Sequence, residues 1–340
     1  MSARFVLSRS IALEKYRKLR ELGLTVAYSV KTNPLVAELL ERETDALFVM
    51  HPMEDLGLIR DPQRVWYYGQ GWDVKEIDSL VSRGVTRFVV DNTADLAALE
   101  GFLGSSSHRI SLLLRARFRE HSVFTGRHYV FGMDSATVRR KIAELQGHPA
   151  IEALGVHVHR KSQNISEWSL VEELKGILDD EAGIQLLNIG GGIPARYANS
   201  SDDALEGIFR KLREVVAFAK ERDIKVIAEP GRFIAAPSVV LETTVKRVVG
   251  DTVILDCSVY NSAMDSLIVP LKLAVDGELS EGKAYTLKGC TPCSMDLFRY
   301  AVRLARPPKE GETIRFLNAG AYNFASDFCG LRKLETVIVG

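Results

Sequence analysis

The chain has 340 residues, enough for one large domain plus a smaller one. It carries 44 Lys and Arg against 44 Asp and Glu, so its net charge of +0 argues against broad binding to nucleic acid or anionic membrane. No basic start leads into an apolar run, and no stretch approaches the ~18 apolar residues of a membrane span, so neither a secretory signal nor a membrane anchor is expected.

In chain order, Phe5–Leu7 is a short apolar run that can add a strand to a distant sheet. From residue 25 a rhythm sets in. Apolar runs at Thr25–Lys31, Ala46–Met50, Val65–Tyr68, Arg87–Asp91, Ile110–Arg115, Leu154–His159, Ile184–Ile189 and Lys225–Glu229 predict eight strands. Helical spacing between most of them, as in Val36–Arg42, Lys75–Ser82, Ala94–Phe102, Ala136–Leu145, Ser169–Leu178 and Ala204–Glu221, makes these βα units. Eight such units predict an α/β fold with a closed (β/α)8 TIM-type barrel over 9–236. The competing fold, an open doubly wound sheet, would carry its glycine turn after the first strand, whereas Gly190-Gly191-Gly192 follows the seventh. Beyond residue 237, Val239–Val249, Thr252–Asp256, Ala284–Lys288, Thr313–Leu317 and Thr336–Val339 look like strands, with a hairpin turn at Gly250-Asp251. These residues, 237–340 with the N-terminal strand 1–8, predict a second, smaller β-rich domain of barrel or sandwich type.

Active sites of such barrels sit where the strands end. The predicted strand ends carry Lys31, Arg115, His157 with His159, the Gly190–Gly192 turn, and Glu229-Pro230-Gly231-Arg232. Glycine turns after strands seven and eight let backbone amides approach phosphate oxygens. A lone lysine opposite them can form a Schiff base, and the whole set points to pyridoxal 5′-phosphate (PLP). Taken singly, each residue also has a plain reading: a solvated lysine, a tight glycine turn, a satisfied core histidine. Their shared rim is what favours the functional one.

The same residues resemble the fold-type III PLP-dependent enzymes, in the diaminopimelate, ornithine and arginine decarboxylase group. Tyr28-Ser29-Val30-Lys31-Thr32-Asn33 is similar to Y-A-V-K-A-N, and Gly155 to Gln163 to G-L-H-F-H-x-G-S-Q. Asn188 to Gly192 is similar to L-x-x-G-G-G, Phe131-Gly132-Met133 to K-F-G, and Ala319 to Tyr322 to the G-A-Y segment. Glu229-Pro230-Gly231-Arg232 matches E-P-G-R. The motifs run in family order along nearly the whole chain. The resemblance implies that Lys31 bonds the cofactor, His159 stacks on its ring and Glu229 faces the ring nitrogen. It places Ser162, Gly190, Gly191, Gly192, Gly231, Arg232 and Tyr322 around the phosphate, with Arg115 also at the cofactor. It implies decarboxylation of an amino acid in lysine or polyamine metabolism, by a cytoplasmic homodimer with shared active sites.

The proton donor in this group is a cysteine on a loop from the partner subunit, which makes Cys293 the candidate, with Cys290 as the alternative. Cys290 and Cys293 form a C-x-x-C pair, but no second pair completes a zinc set, and no metal is expected. Ser294, Asp296, Tyr260 and Asp265 fall in the segments that meet the substrate. The distal anchors of the group are altered: Val269 stands where diaminopimelate enzymes carry an arginine, and Ser294 where an acid is usual. The competing functions are an alanine-racemase-like isomerase, against which Glu229 speaks because such enzymes place an arginine there, and a PLP-binding protein without activity.

Overall fold

The computed structural model describes residues 2–117, 131–178, 183–201, 203–323 and 326–340. Strand β1 (Arg4–Ser8) runs into helix α1 (Arg9–Glu21), where the Ser8 hydroxyl accepts from the Ile11 amide. Strands and helices then alternate through β2 (Thr25–Ser29), α2 (Pro34–Glu43), β3 (Leu47–Met50), β4 (Val65–Gly69) and α3 (Val74–Ser82). They continue through β5 (Arg87–Val90), α4 (Thr93–Leu103), β6 (Ile110–Arg115), α5 (Ser135–Leu145) and β7 (Ile151–His157). The series ends with α6 (Leu170–Lys175), β8 (Leu186–Asn188), α7 (Leu205–Lys220), β9 (Lys225–Ala228) and α8 (Gly231–Ser238). Asn33, Asp73, Asn92 and Asp134 cap α2 to α5 with side chains that accept backbone amides.

Strands β2 to β9 pair in parallel and close on themselves, β9 meeting β2 at Thr25–Ile227 and Val26–Ala228. The closed (β/α)8 barrel rules out the open doubly wound alternative. Lys31 lies in a short helical turn beyond β2 rather than in the strand itself. Helices α1 and α8, which lie outside the helical stretches expected from the sequence, pack on each other.

The alternation of side chains along each strand divides the apolar residues into two sets. One faces outward to the helices and belongs to the large core. The other, Ala27, Val49, Trp66, Val89, Leu113 and Ile227, forms a separate cluster that fills the barrel interior. Two residues further along each strand, the same inward direction reaches the C-terminal mouth.

The remaining strands are β10 (Val239–Val249), β11 (Thr252–Leu255), β12 (Ala274–Val275), β13 (Ala284–Lys288), β14 (Leu297–Arg303), β15 (Thr313–Leu317) and β16 (Glu335–Val339). Short helical turns α9 (Val259–Ser262) and α10 (Asp265–Ile268) lie between β11 and β12. These strands order as β12-β15-β10-β11-β13-β14, and β1 joins them antiparallel to β10 and parallel to β16. Gly250 takes φ +60° at the turn joining β10 to β11.

Candidate active site

Counting two residues up from the interior layer gives the side chains that face the mouth. Val49 leads to His51, Trp66 to Tyr68, Val89 to Asp91, Leu113 to Arg115, Leu186 to Asn188 and Ile227 to Glu229. Gly155 leads to His157 and then His159. Seven strands therefore deliver an imidazole-rich, charged ring onto one rim. Lys31 joins it from the turn after β2.

Glu229 is buried at the centre. Its Oε1 accepts the Tyr68 hydroxyl and, at 2.8 Å, the Asn188 side-chain amide. His157 Nε2 lies 3.6 Å from Oε1 and His159 Nδ1 3.8 Å from Oε2. Burial acts to raise the Glu229 carboxyl, the imidazoles of His157 and His159 act to lower it, and the net direction is well below the usual carboxylate range. Burial pushes His157 itself down to about 4, so at neutral pH that ring faces Glu229 uncharged. A cationic His157 therefore cannot be what holds the carboxylate ionised at neutral pH. The ionised state stands on the two neutral donors at Oε1 and on the cations of the rim. Tyr68 stands edge-on between His51 and His157, with ring centroids 5.1 and 5.3 Å away. His157 is not the satisfied core histidine of the plain reading: neither of its ring nitrogens makes a hydrogen bond. His157, His159 and Glu229 could by position converge on a metal ion, but Oε1 is already occupied by the two donors.

Lys31 is open to solvent at the mouth yet crowded by the rim. Crowding lowers its amine pKa, Glu229 opposes this and Arg115 adds to it. Among the described residues its amine has no hydrogen-bond or ion-pair partner. A lysine poised this way is a better nucleophile than a solvated one. The same rim pushes His51 down to about 4, through burial first and the charge of Lys31 second. Arg115 pairs with Asp91 at 2.9 Å and lies 5.0 Å from the Phe131 ring.

The glycine turn is built for backbone approach. Gly190 and Gly192 take φ +67° and +98°, and a Cβ at Gly191 would lie 2.8 Å from the Glu229 carbonyl. At Gly231, the first residue of α8, a Cβ would sit 2.1 Å from Thr32 Oγ1. No side chain caps the start of α8. The Gly231 amide donates to the Glu229 carbonyl at 2.9 Å, and the amides that follow it point to the same end of the helix, where its dipole favours an anion. Arg232 follows, donating from Nε to Ser162 Oγ at 2.8 Å and from Nη1 to the Tyr197 hydroxyl at 2.8 Å. Its guanidinium lies 5.2 Å from the Tyr322 ring, and the Tyr322 hydroxyl accepts from Thr32 at 3.4 Å. Aldehyde-accepting amine, buried carboxylate, flanking imidazole and uncapped amides beside an arginine form the donor set that a phosphorylated pyridine aldehyde needs.

Residues from beyond the barrel divide in two. Asp265 and Asp296, which the resemblance places in the substrate-facing segments, have their carboxylates bonded within the protein. The Asp265 carboxylate binds Arg232 at 2.6 and 3.2 Å, with both side chains buried. Asp296 accepts the Val259 amide at 2.9 Å, and the Thr291 amide and hydroxyl at 2.9 and 2.7 Å, so it ties its own loop together. Cys293, Tyr260 and the exposed Ser294 remain accessible, and the Tyr260 hydroxyl meets Cys293 Sγ at 2.9 Å. That contact lowers the Cys293 thiol pKa. None of the three contacts Lys31 within one chain. Arg160 is buried and pairs with Glu173, because an arginine inside the fold needs a counter-charge.

Residues 14–236 match the family model described as pyridoxal-dependent decarboxylase, pyridoxal binding domain. The diaminopimelate decarboxylase of Aquifex aeolicus is 25% identical over 350 residues, 95% of this chain and 81% of that protein. In fold, the chain is similar to lysine decarboxylase from Selenomonas ruminantium, with a TM-score of 0.83 at 22% identity over 99% of this chain and 92% of that one. It is similar also to the diaminopimelate decarboxylase of Helicobacter pylori complexed with L-lysine, with a TM-score of 0.83 at 18% identity over 100% and 92%.

Proposed function

The chain belongs to the pyridoxal-dependent decarboxylase family, and from that premise we propose that it removes the α-carboxylate of an amino acid with PLP held by Lys31, Glu229 and the glycine turn. The observation that carries this reading is the ionised, buried Glu229 facing the same mouth as the crowded Lys31 amine. In the proposal, Lys31 provides the amine that bonds the cofactor aldehyde. Glu229 holds a proton at the ring nitrogen, and His159 lies against the ring. Gly190 to Gly192, the start of α8, Arg232, Ser162 and Tyr322 hold the phosphate. Arg115 and Asp91 close the rim. Bound PLP supplies an electron sink for the pair left behind when CO₂ departs. A carboxylate at Glu229 keeps that sink strong, since an opposite charge favours the protonated ring.

Cys293 is the proposed proton source at Cα. It makes no contact with Lys31 within one chain, so the reading requires a homodimer in which a second copy brings the cysteine loop across. Tyr260 and Ser294 travel with that loop. The relatives that act on diaminopimelate or lysine suggest a diamino acid, and Val269 in place of an arginine favours one without a distal carboxylate, or an N-substituted one.

The test is uptake of PLP and release of CO₂ over a panel of basic, dicarboxylic and N-substituted diamino acids. The expected result is a visible absorption band and CO₂ from at least one substrate, both lost in Lys31→Ala. A band without CO₂ from any substrate would revive the PLP-binding protein, and racemised amino acid without CO₂ would revive the isomerase.

A further inference from the structure

We infer that Tyr68 is a positioning residue that, together with Asn188, saturates Oε1 of Glu229 and thereby assigns Oε2 to the ring nitrogen of bound PLP. This rests on the function proposed above and deepens it.

The two oxygens of Glu229 have unlike surroundings. Oε1 accepts both the Tyr68 hydroxyl and the Asn188 amide, which fills its two lone pairs. Oε2 accepts no hydrogen bond among the described residues. His159 Nδ1 is 3.8 Å from it, beyond hydrogen-bond distance. That nitrogen faces the Gly191 amide, which donates to it at 3.4 Å. The oxygen left open thus lies on the side of His159 and the glycine turn, where the ring is to sit.

Tyr68 is held to this task. His51 and His157 pack against it edge-on at 77° and 84°, which leaves the phenol little room to swing away from Glu229. Burial, and then the charge of Glu229, raise the Tyr68 pKa well above its ordinary value, so its hydroxyl is a donor at neutral pH. Asn188 is fixed in turn, since its Oδ1 accepts the Gly190 amide at 2.9 Å. Rotating the carboxylate out of this plane would break both bonds at Oε1. Removing one donor would make the ionised carboxylate less stable, and the shared proton would move from the ring nitrogen toward Glu229.

The test uses ring ¹⁵N-labelled PLP bound to the wild-type protein, Tyr68→Phe and Asn188→Ser, with far-UV circular dichroism to establish that each variant is folded. The nitrogen resonance of the wild type is expected at the protonated-ring position. In Tyr68→Phe it is expected to move toward the neutral-ring position, with PLP binding weakened about tenfold, as for loss of one hydrogen bond to a charge. Asn188→Ser reaches the same oxygen through the other donor and is expected to move the resonance in the same direction, which keeps the test decisive if Tyr68→Phe does not fold. Weaker binding with an unmoved resonance in the folded variants overturns the inference while leaving the decarboxylase reading intact. A wild-type protein that takes up no PLP overturns both.

Discussion

Two buried charges share the barrel rim, and they are handled in opposite ways. Arg232 is closed: Asp265 meets it at 2.6 and 3.2 Å, with Ser162 and Tyr197 on its remaining edges. Glu229 is open: neutral donors hold one oxygen, and the other has no partner among the described residues. A desolvated charge with its counter-charge built in is compensated and fixed in place before any ligand arrives. One with a vacant acceptor beside an unpartnered lysine belongs to a ligand, because burying it is otherwise a cost.

The contrast breaks most visibly by removing one member of each set. Asp265→Asn leaves the Arg232 charge uncompensated and is expected to cost about 3–5 kcal/mol in urea unfolding. Glu229→Gln keeps an acceptor for Tyr68 and Asn188 and is expected to cost only about 1 kcal/mol. It is expected to lower kcat on the order of 10²–10³-fold in steady-state assays. Equal stability losses in the two variants would erase the distinction.

The pH dependence of stability sharpens it. His157 titrates at about 4 in the folded protein against 6.5 when unfolded, so the unfolded chain takes up the proton first. Stability is therefore expected to fall as pH drops from 6.5 toward 4, by on the order of 3 kcal/mol from this residue. His51 works in the same direction. Glu229, with its pKa depressed, contributes stability above the unfolded carboxylate pKa and loses it only as pH falls below. Denaturation midpoints from pH 7 to 4 are expected to show a shallower slope in His157→Gln, and an unchanged slope would contradict the assignment of a neutral, buried imidazole.

The smallest effect concerns the loop outside the barrel. Because the Tyr260 hydroxyl lowers the Cys293 thiol pKa, Tyr260→Phe is expected to slow iodoacetamide alkylation of Cys293 near neutral pH by a few-fold, within the ~0.5–1.5 kcal/mol of one hydrogen bond. An unchanged alkylation profile would separate the two residues.

Much of this rim is legible in the primary structure. A lysine, two histidines two apart, a glycine triplet and Glu-Pro-Gly-Arg each end an apolar run, and a barrel places such ends together. Tyr68, His51 and Asn188 are harder to see as site residues, because an aromatic at a strand end looks like core and an asparagine before glycines looks like a turn. Counting two residues beyond the interior layer would have found all three, but that layer is known only once Ala27, Val49 and Trp66 are seen to cluster. The partners of Asp265 and Asp296 are hidden for the opposite reason. Each aspartate lies in a segment that meets substrate in similar enzymes, and the sequence does not say that a buried arginine or a loop amide has already claimed the carboxylate. Helix α8 hides behind Gly231 and Pro237, both helix breakers, and forms because seven of its eight residues are buried. Strand β14 hides because Ala301 takes φ +54° and breaks the alternation.

The central claim is that the amine of Lys31 bonds the cofactor while Glu229 waits across the ring. Borohydride reduction of the PLP-loaded protein, followed by peptide mapping, tests it directly. The expected outcome is one phosphopyridoxyl mass on the peptide containing Lys31 and an unmodified chain in Lys31→Ala; the label on any other lysine, or on none, would contradict it.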